Sequence, residues 1–76
     1  MRFLIWGAGA IGGTMGAYLA RAGHDVTLVD NVPQHVAAIN RAGLRITGPI
    51  EEFTERVAAF TPDTVAGEWD TIILAT

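Results

Sequence analysis

The sequence lacks cysteine, serine and lysine, and each absence narrows what the chain can be. Without cysteine it has neither a disulfide nor a thiolate metal site, so only an apolar core can offset the entropy lost on folding. Without serine or cysteine it has neither of two common nucleophilic side chains. Its basic residues are five arginines scattered through a chain of net charge −3 (positions 2, 21, 41, 45 and 56), which argues against binding to nucleic acid.

Charged residues are few: they make up 17% of the 76 residues, whereas 50% are hydrophobic. That apolar share is high for a free-standing small domain, because a short chain buries only about 60% of its unfolded surface. We therefore expect residues 1–76 to be one incomplete N-terminal domain, with the substrate and catalytic domain outside it, or a chain that buries apolar surface against a partner.

Residues 3–20 form an uncharged run that contains five glycines. As a signal peptide it would follow Arg2 and end in a small-residue cleavage site at Ala20-Arg21-Ala22. As a membrane span it would be short, since about 20 apolar residues are typical. Each interior glycine also costs an apolar helix about 1 kcal/mol relative to alanine. We therefore expect the run to belong to a folded cytoplasmic domain without a membrane segment.

The hydrophobic pattern predicts strands that alternate with helices. In chain order we expect a strand at 2–6, a helix from Ile11 to Ala22 with Gly23 as its C-cap, a strand at 25–30, a helix at 31–43, a hairpin of strands 44–47 and 53–57, a helical turn at 61–67 and a strand at 70–76. The first and last strands do not alternate, so both faces should be buried. The order predicts an α/β fold, β-α-β-α-β with a hairpin, whose partial doubly wound sheet is mainly parallel.

Each predicted helix has an apolar stripe that should face the sheet. In the first helix the stripe is Ile11, Met15, Tyr18, Leu19 and Ala22, and in the second it is Val36, Ala37 and Ile39. Asn31 is the expected N-cap of the second helix, with Pro33 in the first turn and Gln34 completing a capping box. With Asn31 in that role, the carboxylate of Asp30 is left available to a ligand.

The segment Gly7-Ala8-Gly9-Ala10-Ile11-Gly12 has the G-x-G-x-x-G spacing of a Rossmann dinucleotide-binding loop, and it lies between a predicted strand and a predicted helix. In such a loop Gly7 makes the tight turn and Gly9 lets the backbone approach a pyrophosphate. Gly12 allows the helix to pack closely on the sheet, and Gly16 extends that small face. The N–H groups at the start of the helix bind the anion, so no lysine is needed.

Asp30 ends the second predicted strand, eighteen residues after Gly12, near the roughly 20-residue spacing of a ribose-binding acid. Its carboxylate would accept hydrogen bonds from the ribose hydroxyls of NAD and would repel the 2′-phosphate of NADP. Asn31, the next residue, offers no positive charge to that phosphate. The cofactor is therefore NAD or NADP, with NAD favoured. His24 and His35 are expected at the surface and are not spaced as a metal pair, so no metal is predicted.

The stretch "MRFLIWGAGAIGGTMGAYLARAGHDVTLVD", the later "GLRITG" and the final "DTIILAT" resemble the N-terminal domain of ketopantoate reductases (2-dehydropantoate 2-reductases) along essentially the whole chain. The resemblance implies an oxidoreductase of pantothenate biosynthesis that reduces a small 2-keto acid to a 2-hydroxy acid by hydride transfer from a nicotinamide cofactor, usually NADPH. It also implies that the pyrophosphate is held by Gly7, Gly9, Ala10, Ile11 and Gly12, and that the loop at Ala75 and Thr76 approaches the nicotinamide.

The chain differs from the family pattern at one position, and part of that pattern lies outside residues 1–76. Family members often carry an arginine just after the second strand, where Asn31 stands here. The catalytic lysine and acid of the family come from segments beyond residue 76, so no catalytic residue is assigned, and we expect these 76 residues alone to be inactive. The resemblance leaves homo-oligomerisation open.

One alternative of another class is a nucleotide-sensing regulatory module of the potassium-transport type, which binds without catalysis. Such modules also run from G-x-G-x-x-G to an acid at the end of the second strand. They tend to carry a Gly-Asp-Ala-Thr type turn after the third strand, whereas this chain has "ITGPIEEFTERV". That difference favours the enzyme.

Overall fold

The computed structural model describes residues 1–75, in which strands and helices alternate. The elements are β1 (Arg2–Trp6), α1 (Ala10–Arg21), β2 (Asp25–Val29), α2 (Pro33–Ala42), β3 (Leu44–Ile46), β4 (Phe53–Glu55), β5 (Ala58–Phe60) and β6 (Thr71–Leu74). Within the described range no helix is both long and apolar enough to cross a bilayer.

Four strands form one parallel sheet in the order β5-β2-β1-β6, and β3 pairs with β4 in a separate antiparallel hairpin. The predicted α/β class, the parallel sheet and the hairpin are thus confirmed. From β1 the chain moves outward through β2 to β5 and then returns past β1 to form β6. Residues of α1 and α2 pack against the same core cluster, and right-handed connections would place the 61–70 segment on the opposite face. The strand order therefore reverses between β1 and β6.

The predicted strand at 53–57 is wrong at its end, and β5 was not predicted. The chain leaves the hairpin after Glu55 and enters the main sheet at Ala58, where β5 pairs with β2. Asn40 of α2 closes the outer edge of this strand. Its Nδ2 donates to the carbonyl oxygen of Ala59 over 2.9 Å, and its Oδ1 accepts from the amide of Ala59, also over 2.9 Å. A three-residue strand held by such distant partners carries too little local pattern to be predicted.

Helix α1 faces the sheet with its smallest residues, as predicted for Gly12 and Gly16, whereas the predicted apolar stripe is wrong. The buried residues are Gly12, Gly16 and Ala17, whereas the large side chains are exposed by 71%, 36% and 42% (Ile11, Met15 and Tyr18). A Cβ added to Gly16 would lie 3.3 Å from Leu28 Cδ2 and 3.3 Å from Leu44 Cδ1. The helix therefore lies too close to the sheet for larger residues on that face. Of the predicted stripe, Leu19 is half-buried and Ala22 is exposed.

The core lies between the sheet and the two helices. Its buried members come from five elements and form one cluster: Ile5, Ala17, Val26, Leu28, Leu44 and Ala59. In α2, Val36 and Ile39 pack against this cluster as predicted, whereas Ala37 is exposed. The prediction that β6 is buried on both faces is also wrong. Within the described range Ile72 and Leu74 are 56% and 75% exposed, and β6 is the outer strand of the sheet.

Two turn predictions need smaller adjustments. The C-cap of α1 is Ala22, one residue before the predicted Gly23, which follows with φ +95°. This is the left-handed conformation that glycine adopts after a helix without a Cβ penalty. At the predicted helical turn, the amides of Thr64 and Val65 both donate to the carbonyl of Thr61.

A polar cluster attaches the hairpin connection to α1. Tyr18 donates its hydroxyl to Glu51 Oε2 over 2.9 Å, and Arg21 donates to Glu51 Oε1 over 2.8 Å. The guanidinium of Arg21 also lies 4.5 Å from the ring centroid of Phe53. The hydrogen bond from Tyr18, followed by the interaction with Arg21, lowers the pKa of the Glu51 carboxyl. The same hydrogen bond raises the pKa of the Tyr18 hydroxyl.

These shifts predict that the hairpin attachment weakens in acid. A carboxyl whose pKa is lowered by folding stabilises the native state above its unfolded value of 4.5, and this contribution is lost as the pH falls through the folded-state pKa. We expect the free energy of unfolding, measured by urea denaturation, to decrease on acidification across this range, and Glu51→Gln to remove part of the decrease. Glu68→Gln, far from the cluster, is the matched control and should behave as the wild type. An identical pH profile for Glu51→Gln and the wild type would refute the assignment.

Candidate functional site

The loop after β1 turns sharply and packs under the start of α1. Gly7 has φ +109°, a conformation open to glycine, and its amide donates to the carbonyl of Val29 over 2.8 Å. A Cβ on Gly12 would lie 1.8 Å from the carbonyl oxygen of Gly7 and 3.2 Å from Ala75 Cβ. The two glycines thus allow the loop, the helix and the end of β6 to meet.

The first turn of α1 opens towards this edge of the sheet. Gly9 is the N-cap, in an extended conformation, and no side chain caps this helix end. Apart from its own chain neighbours, no protein atom would lie within 4 Å of a Cβ added to Gly9. The first amide N–H groups of a helix lack intrahelical acceptors, and they carry the positive end of its dipole. The geometry suits an anion that approaches the Gly9 backbone.

A cleft of about 270 Å³ lies at the carboxyl ends of β1, β2 and β6. Its lining combines the glycine loop with the end of β2 and the residue after β6: Trp6, Gly7, Ala8, Gly9, Val29, Asp30, Asn31 and Ala75. The cleft is at the point where the strand order reverses, which is where open α/β sheets bind their ligands. The fold thus brings together five residues that the sequence predicts for one site, namely Gly7, Gly9, Asp30, Asn31 and Ala75.

The remaining predicted site residues lie around the cleft in different settings. Ala10 lines a neighbouring cavity of about 420 Å³ between α1, α2 and β3, which Gly9 also lines. Ile11 is exposed on the first turn, and Gly12 is buried beneath the loop. Thr76 is outside the described residues. The sequence analysis did not single out Trp6, Ala8 or Val29 as lining residues, although each adjoins a predicted site residue in the chain.

Asp30 is held at the cleft by the start of α2. Its side chain is 13% exposed, and Oδ1 accepts a hydrogen bond from the amide of Val32 over 2.8 Å. The other oxygen, Oδ2, lies 3.6 Å from Nδ1 of His35. The orientation of the carboxylate is therefore set by the backbone of the turn.

This arrangement corrects the prediction of Asn31 as N-cap with a Gln34 capping box. The N-cap is Val32, which has φ −97° and ψ 108°, and α2 begins at Pro33 with no side-chain cap. Proline disfavours the helical conformation in the residue before it, so the helix cannot begin earlier. The carboxylate of Asp30 is thus not wholly available to a ligand, because its Oδ1 already accepts a hydrogen bond from the amide of Val32.

His35 is 63% exposed, as expected for a surface residue, but its position beside Asp30 was not predicted. The spacing of the two residues could have indicated this contact, because they are five apart across the turn between β2 and α2. In the described range no group of three or more histidine or acidic side chains is arranged to hold a metal ion.

Three features define a Rossmann-like nucleotide-binding domain. They are the parallel sheet, the glycine loop at the carboxyl ends of its strands, and the cleft where the strand order reverses. A family model described as ketopantoate reductase PanE/ApbA matches residues 3–76. The chain belongs to this ketopantoate reductase family, as its sequence motifs predicted.

Similar proteins include 2-dehydropantoate 2-reductases of two organisms. The chain is 46% identical to that of Pyrococcus abyssi over 76 residues and 40% identical to that of Lactococcus lactis over 78 residues. All of this chain is covered in both comparisons, but only 24% and 25% of the relatives. The chain therefore spans about a quarter of the length of these relatives.

Solved structures show the same fold. The chain matches a putative 2-dehydropantoate 2-reductase from Enterococcus faecalis with a TM-score of 0.90 and 37% identity. It matches D-mandelate dehydrogenase, solved as a ternary structure with NADH and anilino(oxo)acetate, with a TM-score of 0.91 and 32% identity. Each match covers 100% of this chain and 25% of the solved one.

Proposed function

We propose that this chain is the NAD(P)-binding portion of an oxidoreductase that reduces a 2-keto acid to a 2-hydroxy acid, as ketopantoate reductases do. The observation that carries the proposal is the cleft itself, where the glycine loop, Asp30 and Asn31 meet at the switch point of the sheet. Family membership supports the reaction class, and the named ligands of the D-mandelate dehydrogenase structure, NADH and a keto acid analogue, support the ligand classes.

The residues of the cleft fit a dinucleotide. The pyrophosphate would lie against Gly7 and Gly9, where the first-turn amides of α1 would donate to it. Ala75 would face the nicotinamide, and Asp30 would face the adenosine ribose. When bound, the nicotinamide supplies the hydride. The proton donor and the groups that orient the keto acid are assigned to segments outside residues 1–76.

The residues present favour NAD over NADP. Asp30 lines the cleft, where each hydrogen bond that its carboxylate accepts from a ribose hydroxyl would contribute about 1.5–3 kcal/mol. The 2′-phosphate of NADP, with a charge of about −1.5 to −2, would be repelled by this carboxylate. Asn31 beside it is uncharged and exposed.

Titration of NAD and NADP against the longest folded form of the protein tests the proposal. We expect NAD to bind at least about tenfold more tightly, which corresponds to one hydrogen bond to a charged acceptor. The double substitution Asp30→Ser with Asn31→Arg should shift the preference towards NADP. Equal or tighter binding of NADP to the wild type would show that Asp30 does not accept hydrogen bonds from the ribose hydroxyls.

An assay of turnover distinguishes an enzyme from a nucleotide-sensing module. Oxidation of NADH or NADPH in the presence of a 2-keto acid, followed by absorbance, is expected for the complete protein and not for residues 1–76 alone. Tight nucleotide binding by the complete protein without turnover of any 2-keto acid would favour the sensing module.

A further inference from the structure

Helix α1 presents its large apolar side chains away from the core. Ile11, Met15 and Tyr18 recur at i, i+4 and i+7, so they lie on one face of the helix. All three are exposed, and within the described range none of them packs against the core cluster. We call these three residues the outer stripe of α1. The opposite face of the helix, made of glycine and alanine, is the one that packs on the sheet.

A helix face that stays in water normally carries polar and charged side chains. The outer face of α2 follows this rule, with Gln34, His35 and Arg41 exposed. The residues of α1 before Arg21 carry no charge, and the guanidinium of Arg21 is itself bonded to Glu51. Grouped apolar side chains on a polar surface are typical of a region that another polypeptide segment covers.

The outer stripe is suited to packing against a partner surface. The hydroxyl of Tyr18 donates to Glu51 Oε2 over 2.9 Å, and its ring meets that of Phe53 edge to face, with centroids 5.2 Å apart. Because this ring is already held in place, it loses little conformational freedom when a partner packs on it. The side chain of Met15 is unbranched and adapts to an irregular surface.

The size of the outer stripe favours a covering segment from the same polypeptide. The chain spans about a quarter of the length of its relatives, so about three quarters of a protein of that length lies outside residues 1–76. Three side chains on a helix of 12 residues cannot by themselves supply the roughly 800 Å² per partner that a stable dimer buries. A domain of the same polypeptide needs less contact area, because the peptide link holds it at a high effective concentration.

We propose that the outer stripe of α1 is the docking surface for the substrate domain of the complete protein; this rests on the proposed function. The stripe begins in the first turn of α1, where Ile11 lies, and the N-cap of that turn, Gly9, lines the cleft. A domain seated on the stripe therefore stands beside the space assigned to the pyrophosphate. From there its residues reach the cofactor and the keto acid from the side of α1.

Cysteine labelling of the complete protein, without nucleotide, measures whether the stripe is covered. Residues 1–76 contain no cysteine, so Ile11→Cys and the control Ile50→Cys each add one site, which peptide mass spectrometry identifies. Ile11 and Ile50 are 71% and 93% exposed, so the two sites should label at similar rates if nothing covers the stripe. We expect Ile11→Cys to label at least about tenfold more slowly, with each rate normalised to that of the same variant in urea.

Oxidation of the wild type by hydrogen peroxide gives a second measurement that requires no substitution. Met15 and Met1 are both exposed in the described fold, and Met1 lies before β1, at the opposite end of the sheet from the cleft. Exposed methionine is converted to its sulfoxide. We expect Met15 to be oxidised at least about tenfold more slowly than Met1 in the folded protein, and the two at similar rates in urea.

Three results would overturn the inference, and they differ in what they leave standing. Similar labelling of Ile11→Cys and Ile50→Cys, with Met15 oxidised as fast as Met1, would show that the stripe is uncovered, whether or not the cleft binds nucleotide. Protection that disappears on dilution, with a fall in mass by sedimentation, would show that a second copy covers the stripe. If the complete protein binds neither NAD nor NADP, the proposed function fails, and a protected stripe would then contact a domain of another kind.

Discussion

Gly12→Ala is expected to destabilise the domain by about 3 kcal/mol or more, at the upper end of the range for overpacked cores. The added Cβ would lie 1.8 Å from the carbonyl oxygen of Gly7, which is a backbone atom and cannot rotate away as a side chain would. The Gly7 amide is itself bonded to Val29, so the loop is held on its other side by the end of β2. The helix would have to move off the sheet, and the buried contacts of Gly16 and Ala17 would loosen with it.

Urea denaturation followed by circular dichroism measures this effect, and Gly13→Ala is its matched control. Gly13 is the next residue of the same helix, and a Cβ there would meet its nearest neighbours at 3.7 Å, an ordinary contact distance. Alanine is better than glycine inside a helix by about 1 kcal/mol, so Gly13→Ala should be neutral or stabilising. If Gly12→Ala unfolds at the same urea concentration as the wild type, the close approach of α1 to the Gly7 loop is wrong.

Gly9→Val is expected to reduce nucleotide binding by about 100-fold or more, because about two phosphate hydrogen bonds of 1.5–3 kcal/mol each would be lost. A Cβ at this position would have no protein atom within 4 Å apart from its own chain neighbours, so a larger side chain would project into the space that we assign to the pyrophosphate. Gly9 has φ −71° and ψ −166°, an extended conformation that valine also adopts. The fold should therefore tolerate the substitution.

Isothermal titration with the preferred cofactor gives the binding loss, and circular dichroism checks that the helix content is kept. Gly9→Ala provides a graded control with a smaller side chain in the same space and should bind with intermediate affinity. Gly9 and Gly12 are three residues apart in one motif, yet their substitutions should act on different quantities, binding for Gly9 and stability for Gly12. Wild-type affinity in Gly9→Val would mean that the pyrophosphate does not lie at this helix end.

The difference between these glycines also shows how far the sequence analysis could go. The G-x-G-x-x-G spacing predicted a tight turn at Gly7 and close helix packing at Gly12, and the structure shows both. For the buried face of α1 the residue pattern gave two conflicting indications, the small face of Gly12 and Gly16, which is the buried one, and the apolar stripe. The apolar stripe pointed to Ile11, Met15 and Tyr18, but the sheet approaches so closely that only glycine and alanine fit. Hydrophobicity along one helix carries no information about the distance to its neighbour.

The sequence by itself determined the elements whose signals are local. The strands around Leu4 and Leu28, the helices and the glycine turn follow from patterns within about 30 residues, and the family resemblance follows from motifs along the whole chain. Tertiary structure alone decided what depends on distant segments. These features include the addition of β5 to the sheet, the bonding of Asn40 to its outer edge, and the pairing of β6 with β1. The physical reason is that a hydrogen bond or a close contact between segments depends on where both backbones lie, and neither segment encodes the position of the other.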